Sequence, residues 1–277
     1  IGHTRIVTKN LVGFNLTRGI ARVSPKKKII SPQFLLKYLN SPKCLKVFDQ
    51  RKNGSALKEI PIGELRKILV EFPSLYEQQK IASFLTSVDE RLTLLAQQKE
   101  KLELYKKGVM QQIFAQKLRF KDEKGNNYPD WEEKKLSNLV DVIKGKQLNK
   151  EELTEVGTYP CQNGGIEPSG YTEEFNTIEN TITISEGGNS CGYVNFMTSK
   201  FWCGGHCYSL LNIKNNVMKQ FLFQYLKFNQ NEIMKLRVGS GLPNIQKGSI
   251  ANFRIEIPCI EEQQKIVTQL DQLQEQT

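Results

Sequence analysis

The chain has 277 residues and a formal net charge of +10, long for one domain and comfortable for two. No apolar run approaches the length of a bilayer span and no charged-then-apolar leader opens the sequence, which reads as a cytoplasmic protein with no membrane partner. The six cysteines show no CxxC spacing, and in a cytoplasmic protein they are expected to be reduced.

The charge is localised. Residues 1–73 carry 15 Lys and Arg against 4 Asp and Glu, residues 74–118 carry 7 against 5, residues 119–258 carry 16 of each, and residues 259–277 carry 1 against 4. A basic excess confined to one segment points to a polyanionic partner, of which nucleic acid is the commonest. The chain opens at Ile1 rather than Met, so it reads as part of a longer protein.

In chain order, the first feature is one half of an internal repeat. Gly54–Ala82 (GSALKEIPIGELRKILVEFPSLYEQQKIA) aligns without a gap to Gly239–Val267 (GSGLPNIQKGSIANFRIEIPCIEEQQKIV). Glu77-Gln78-Gln79-Lys80-Ile81 matches Glu262-Gln263-Gln264-Lys265-Ile266, and Phe34–Leu39 (FLLKYL) echoes Phe221–Leu226 (FLFQYL). The separation far exceeds the 20–50 residues of a solenoid unit, so a domain and its connector are duplicated. Residues 1–73 read as the end of the first copy, closing on a strand-like run, Ile68–Phe72, before Pro73.

A long helix is expected from about Ser74 to Lys117. Ser74 with Glu77 three residues on has capping-box spacing, and Pro73 fits just ahead of a first turn. Ile81, Leu85, Val88, Leu92, Leu95, Leu102, Val109 and Ile113 fall at heptad-like steps, the seam of a helix that pairs with another helix. At 1.5 Å per residue such a helix is roughly 65 Å long.

Residues 119–258 read as a complete α+β domain with an irregular sheet. Thr181–Ser185, Gly192–Met197 and Cys207–Ile213 read as strands. Gln220–Lys235 reads as a helix burying Phe221, Leu222, Tyr225, Leu226 and Ile233. The second strand-like run, Phe253–Ile257, precedes Pro258. Residues 259–277 begin a second connector helix, with Ile266, Leu270 and Leu273 continuing a seam.

No catalytic constellation is legible. There is no Asn-Pro-Pro-aromatic motif and no glycine-rich loop between a strand and a helix. Asp130, Glu132 and Lys134 are too tightly spaced for a nuclease metal site, and His3 and His206 are the only histidines. Cys203, His206 and Cys207, with Cys191 upstream, lack the well-spaced ligand pairs of structural zinc. No metal and no cofactor is expected.

The duplicated block ending in a long helix, the opening Tyr128–Leu136 (YPDWEEKKL), and the stretches Gln162–Tyr171, Ile184–Val194 and Lys200–Leu210 resemble the specificity subunits of type I restriction–modification systems. The resemblance implies target recognition domains that each read half of a split site on double-stranded DNA. It implies two antiparallel helices that space them and dock methyltransferase subunits, with a motor-nuclease subunit joining for restriction. It also implies a chain that is not catalytic by itself. Two other readings stand beside it: a helical protein–protein adaptor, and the recognition half of a fused DNA methyltransferase or nuclease. The expected phosphate contacts are Lys144, Lys146, Lys150, Arg237 and Lys247. The expected base readers are Gln147, Asn163, Ser169, Tyr171, Asn189 and Ser190, with Ser240 and Asn244 of the loop that Arg237 and Lys247 flank.

Overall fold

The structure is a computed structural model describing residues 2–11, 13–17, 19–54, 58–239 and 241–276. It is α+β and divides into two compact units, residues 1–100 and 101–277. The expected long helix runs Leu75–Phe114, 40 residues, and the Ser74 hydroxyl accepts from the Glu77 N–H at 3.4 Å as the capping spacing requires.

In the first unit, two Ser-Pro pairs open two short helices, α1 (Pro32–Leu39) and α2 (Pro42–Gln50), with Ser31 and Ser41 as side-chain caps. Proline costs nothing at the first helical position, because that N–H has no partner inside the helix. A third helix, α3 (Ile62–Arg66), precedes the long helix, α4 (Leu75–Phe114). Leu39, Cys44 and Phe48 form a small core, joined by Leu35, Tyr38, Leu45, Ile60, Leu65 and Ile68.

The second unit contains the sheets. Strand β1 (Glu132–Lys135) pairs antiparallel with the last strand of the unit, which spans Arg254–Ile257. β2 (Asp141–Lys144) lies at the edge of a four-stranded antiparallel sheet, and β3 (Tyr159–Gln162) and β4 (Tyr171–Thr172) belong to a small three-stranded one. β5 (Thr181–Ser185), β6 (Val194–Met197), β7 (Trp202–Cys203) and β8 (Cys207–Leu211) follow. The four-stranded order is β2-β8-β5-β6, and β7 completes the small sheet beside β3, running parallel to it. Helices α5 (Lys219–Phe228), α6 (Gln230–Lys235) and α7 (Lys247–Ala251), then β9 (Arg254–Ile257) and α8 (Ile260–Glu275), complete the chain.

The repeat is visible as repeated structure. α5, α6, α7 and α8 take the places in sequence that α1, α2, α3 and α4 take in the first copy. The strand-like runs differ between copies. Phe253–Ile257 yields β9, with Ile255 and Ile257 buried against β1 and the core. Ile68–Phe72, expected to behave alike, is not a strand, and Leu69 is 88% exposed. A strand exists only when a neighbour takes its hydrogen bonds, and no described segment lies beside residues 68–72 as β1 lies beside β9. The single helix expected over Gln220–Lys235 is two, because the Asn229 side-chain amide donates to the Tyr225 carbonyl at 2.9 Å and ends the first. Its five expected core residues are all buried.

The repeated Glu-Gln-Gln-Lys run has a structural reason. The Gln263 side chain is fully buried. Its Oε1 accepts from Met218 N–H at 2.8 Å, and its Nε2 donates to the carbonyls of Asn216 at 3.0 Å and Pro258 at 2.9 Å. Gln78, also fully buried, does the same in the first copy: Oε1 accepts from Ser31 N–H at 2.8 Å, and Nε2 donates to Ile29 at 3.0 Å and Pro73 at 2.9 Å. Each glutamine staples the first turn of a connector helix to the chain entering the first helix of its repeat.

The neighbouring glutamates differ. Glu262 is fully buried, held by Arg119 (Nε to Oε1 2.8 Å, Nη2 to Oε2 2.9 Å) and by Trp131 Nε1 at 3.1 Å. Glu77 is exposed. α8 lies antiparallel to the last turns of α4, since Lys106 meets Gln274 at one end while Arg119, just past α4, meets Glu262 at the other. Ile113 and Phe114 join Ile266, Val267, Leu270 and Leu273 in the main core, where Phe114 sets its edge against Tyr225 at 5.4 Å between ring centres.

Candidate nucleic-acid interface

Five loops of the 101–277 unit are tied together around two residues that the sequence reading did not select, Glu186 and His206. The loop after β2 is anchored by Gly145 N–H to the Cys207 carbonyl and Lys146 N–H to the Cys203 carbonyl, both 2.9 Å. The loop after β3 is anchored through Asn163, whose Oδ1 accepts from His206 N–H at 3.0 Å. The loop after β5 is held by Glu186 N–H to the His206 carbonyl at 2.9 Å, and Ile245 N–H returns to the Glu186 carbonyl at 2.8 Å. Gly188 N–H donates to the Pro243 carbonyl at 3.0 Å, so the segment before α7 joins the same cluster.

The glycines here are required by close approach. A Cβ on Gly145 would lie 2.2 Å from the Gly204 carbonyl oxygen, and one on Gly204 would lie 2.4 Å from Asn163 Oδ1. Backbones this close leave no room for a side chain.

Beneath the loops sits a buried carboxylate. Glu186 Oε1 accepts from Lys144 Nζ at 2.6 Å and lies 3.0 Å from the Tyr208 hydroxyl, while Oε2 is 3.7 Å from His206 Nδ1. A buried charge persists only when paired and hydrogen-bonded, and Lys144 supplies the countercharge. The Tyr208 phenol is also 2.9 Å from the Ile245 carbonyl. Burial, then the Glu186 carboxylate, raises its pKa above the usual phenol range.

Only some of the expected DNA contacts gather at this cluster. Lys144, Gln147, Asn163 and Asn244 converge on the cluster: Lys144 through Glu186, Gln147 against Gly205, Asn163 through His206, and Asn244 by bridging to Gly187. Lys146 is exposed on anchored backbone, and its carbonyl accepts from Trp202 Nε1 at 2.9 Å. Asn189 and Ser190 lie in the loop after β5, with Asn189 exposed. Tyr171 belongs to the small sheet and exchanges backbone hydrogen bonds with Thr154, and Ser169, just before β4, donates its N–H to the Cys161 carbonyl at 2.9 Å. Arg237 and Lys247 are exposed on either side of a hairpin closed by Val238 and Asn244. Ser240 lies outside the described residues, as does the side chain of Lys150.

The cysteines are part of the packing. Cys203 and Cys207 are buried with Met197 and Phe201. The Cys203 hydrogen bond, with burial, holds the Cys207 thiol well above its ordinary pKa, and burial pushes Cys161 up to about 11. Such thiols are poor nucleophiles at neutral pH.

Of the helix seam, Ile113 is fully buried, Val109 is partly buried, and Ile81 and Leu102 are half-buried. Leu85, Val88, Leu92 and Leu95 are exposed, Leu92 by 60% and Leu95 by 46%.

The chain thus carries a helical block in two copies, each feeding a connector helix, and a sheet-containing unit whose loops gather around Glu186 and His206. The family model of the type I restriction modification DNA specificity domain matches residues 1–104 and 128–277, and the chain belongs to that family. A Mycoplasma genitalium protein provisionally named a type I specificity subunit is 37% identical over 133 residues, 47% of this chain and 34% of the relative. The specificity subunit of the type I restriction enzyme MjaVIII from Methanocaldococcus jannaschii is 24% identical across 92% of this chain and 66% of its own length. The crystal structure of the type I restriction–modification S subunit from M. genitalium matches with a TM-score of 0.65 at 25% identity, over 88% of this chain and 67% of that one. The chain thus spans about a third of the first relative's length and about two thirds of the others'. Among the described residues, no helix is long and apolar enough to cross a membrane.

Proposed function

We propose that this chain recognises DNA sequence within a type I restriction–modification complex and performs no chemistry itself. Residues 119–258 act as a target recognition domain, residues 1–73 are the end of another, and residues 74–118 and 259–277 are spacer helices on which methyltransferase subunits dock, with a motor-nuclease subunit in the full complex. The observation that carries the reading is the face built by five interlocked loops around Glu186 and His206, in a chain of the DNA specificity family. Rigidly held loops present polar groups in fixed directions, which base-edge readout requires.

Phosphate contacts release counterions, so binding to duplex DNA, followed by fluorescence anisotropy, is expected to fall steeply with salt. Lys146→Ala should weaken binding to all sequences alike and shallow the log–log salt slope by about 1. Binding that ignores salt would overturn the reading and favour a protein–protein adaptor.

The exposed seam supports helix pairing or subunit docking. Leu92→Asp with Leu95→Asp removes apolar surface that the described chain leaves in solvent, so the stability of the chain should change by no more than about 1 kcal/mol, while its co-elution with methyltransferase subunits is lost. Normal co-elution of that variant would exclude the seam as the docking surface.

A further inference from the structure

His206 combines an exposed side chain with a backbone locked on both sides. Its N–H is held by Asn163 and its carbonyl by Glu186 N–H, yet its side chain is 62% exposed. The backbone around it is rich in glycine, with the side chains of Gln147, Asn163 and Asn244 nearby. Gly164, Gly187 and Gly205 flank it: a Cβ on Gly164 would lie 2.7 Å from the His206 carbonyl oxygen, and one on Gly187 would lie 3.9 Å from Nδ1. An exposed imidazole beside glycines, which carry no side chain of their own, can be approached closely by a flat ligand edge.

The carboxylate below it is directional. Glu186 is almost completely buried and fixed by Lys144 and Tyr208, so its second oxygen can turn little from its place 3.7 Å from His206 Nδ1. A negative oxygen facing Nδ1 favours the tautomer that carries its proton there, and leaves Nε2 of this exposed side chain with a lone pair. That nitrogen is then an acceptor, complementary to the exocyclic amine that adenine or cytosine presents in the major groove.

We propose that His206 is the base-contacting side chain at the centre of this face, accepting from an exocyclic amine, and that Glu186 is the positioning residue that sets its tautomer and aim. This rests on the DNA-reading proposal above and adds to it a named contact and its chemistry. Glu186 acts through His206 and touches no base.

The test uses the full chain with its methyltransferase subunits and a duplex carrying the sequence it prefers, measured against every single-base-pair substitution. A good base contact discriminates by about 1–3 kcal/mol, roughly 5- to 150-fold in affinity. In His206→Ala, discrimination should collapse to under about threefold at one base pair and persist elsewhere. Replacing that position's adenine or cytosine by its des-amino analogue should weaken the wild type and leave His206→Ala unchanged. Glu186→Gln should lose selectivity at the same base pair, and the double variant should be no worse there than His206→Ala, the non-additivity expected of two residues acting as one unit. A merely structural role for Glu186 would erode every position and add to the His206 effect.

An unchanged substitution profile in His206→Ala overturns the assignment and leaves the DNA reading standing. A wild type that prefers no sequence overturns both. His206 is exposed, so its variant is expected to fold and carries the decision even where Glu186→Gln does not.

Discussion

Arg119→Leu should lower the stability of the 101–277 unit by about 3–5 kcal/mol, the cost of leaving a buried carboxylate without its partner. Glu262 has no exposure to solvent, and Arg119 meets it through two nitrogens at 2.8 and 2.9 Å. Fork-like pairing of this kind is the strongest form of the interaction. Trp131 Nε1 donates a third hydrogen bond, and Arg119 Nη2 also donates to the Pro129 carbonyl at 2.7 Å. One guanidinium thereby joins the end of α4, the segment leading into β1, and the first turn of α8. The second ion pair of Arg119, to the fully exposed Asp130 at 3.8 Å, adds little, because water screens it. Both tryptophans, Trp131 and Trp202, belong to the 101–277 unit, so urea unfolding followed by tryptophan fluorescence reports on that unit alone. The repeat supplies the control: Glu77, at the matching position, is exposed, and Glu77→Gln should change stability by no more than about 0.5 kcal/mol. A midpoint unmoved by Arg119→Leu would mean that Glu262 is solvated in solution.

The glutamine staples should give the next largest effect. Gln263→Ala strips the Met218 N–H and the Asn216 and Pro258 carbonyls of their partner at once. Each unsatisfied buried group costs about 1–3 kcal/mol. Some of these groups will find water, so the expected loss is about 2–4 kcal/mol. The change has a local signature, since amide exchange should accelerate at Met218 more than at core amides of β5. Gln78→Ala should do the same at Ser31 in the first unit, because the bonds are the same within 0.1 Å. Unequal outcomes at the two sites would show that the repeat is no longer equivalent in solution.

Several elements were legible because they depend on local pattern. The heptad-like spacing from Ile81 to Ile113, with no proline between Pro73 and Pro129, leads directly to the helix Leu75–Phe114. Thr181–Ser185 was read correctly to the residue, since a run of β-branched residues bounded by Asn180 and Gly187 has few other conformations. Other features depend on distant partners. Glu132–Lys135 is a strand made of charged residues only, formed because β9 lies beside it, and no alternation announces it. The run at 68–72 has strand composition but no described neighbour. The repeated glutamine was visible as an identity, while its reason required the chain some 47 residues away to return to it.

The candidate site was partly legible for the same reason. Turn-rich loops marked the face, and Gln147, Asn163 and Asn244 do gather there. Glu186 lies in Ser-Glu-Gly-Gly, which reads as a solvated turn, and His206 lies beside Cys203 and Cys207, where metal ligation was the natural question. Only the fold places the carboxylate under the imidazole. The one available signal was the density of glycine at 187–188 and 204–205, which marks close backbone approach.

Whether this face reads DNA sequence is decided by selection from a random duplex DNA pool by the chain assembled with its methyltransferase subunits. Enrichment of a short motif is expected, including a base pair whose identity matters to the wild type and not to His206→Ala. A complex that assembles and binds DNA yet enriches no motif would contradict the DNA-reading proposal.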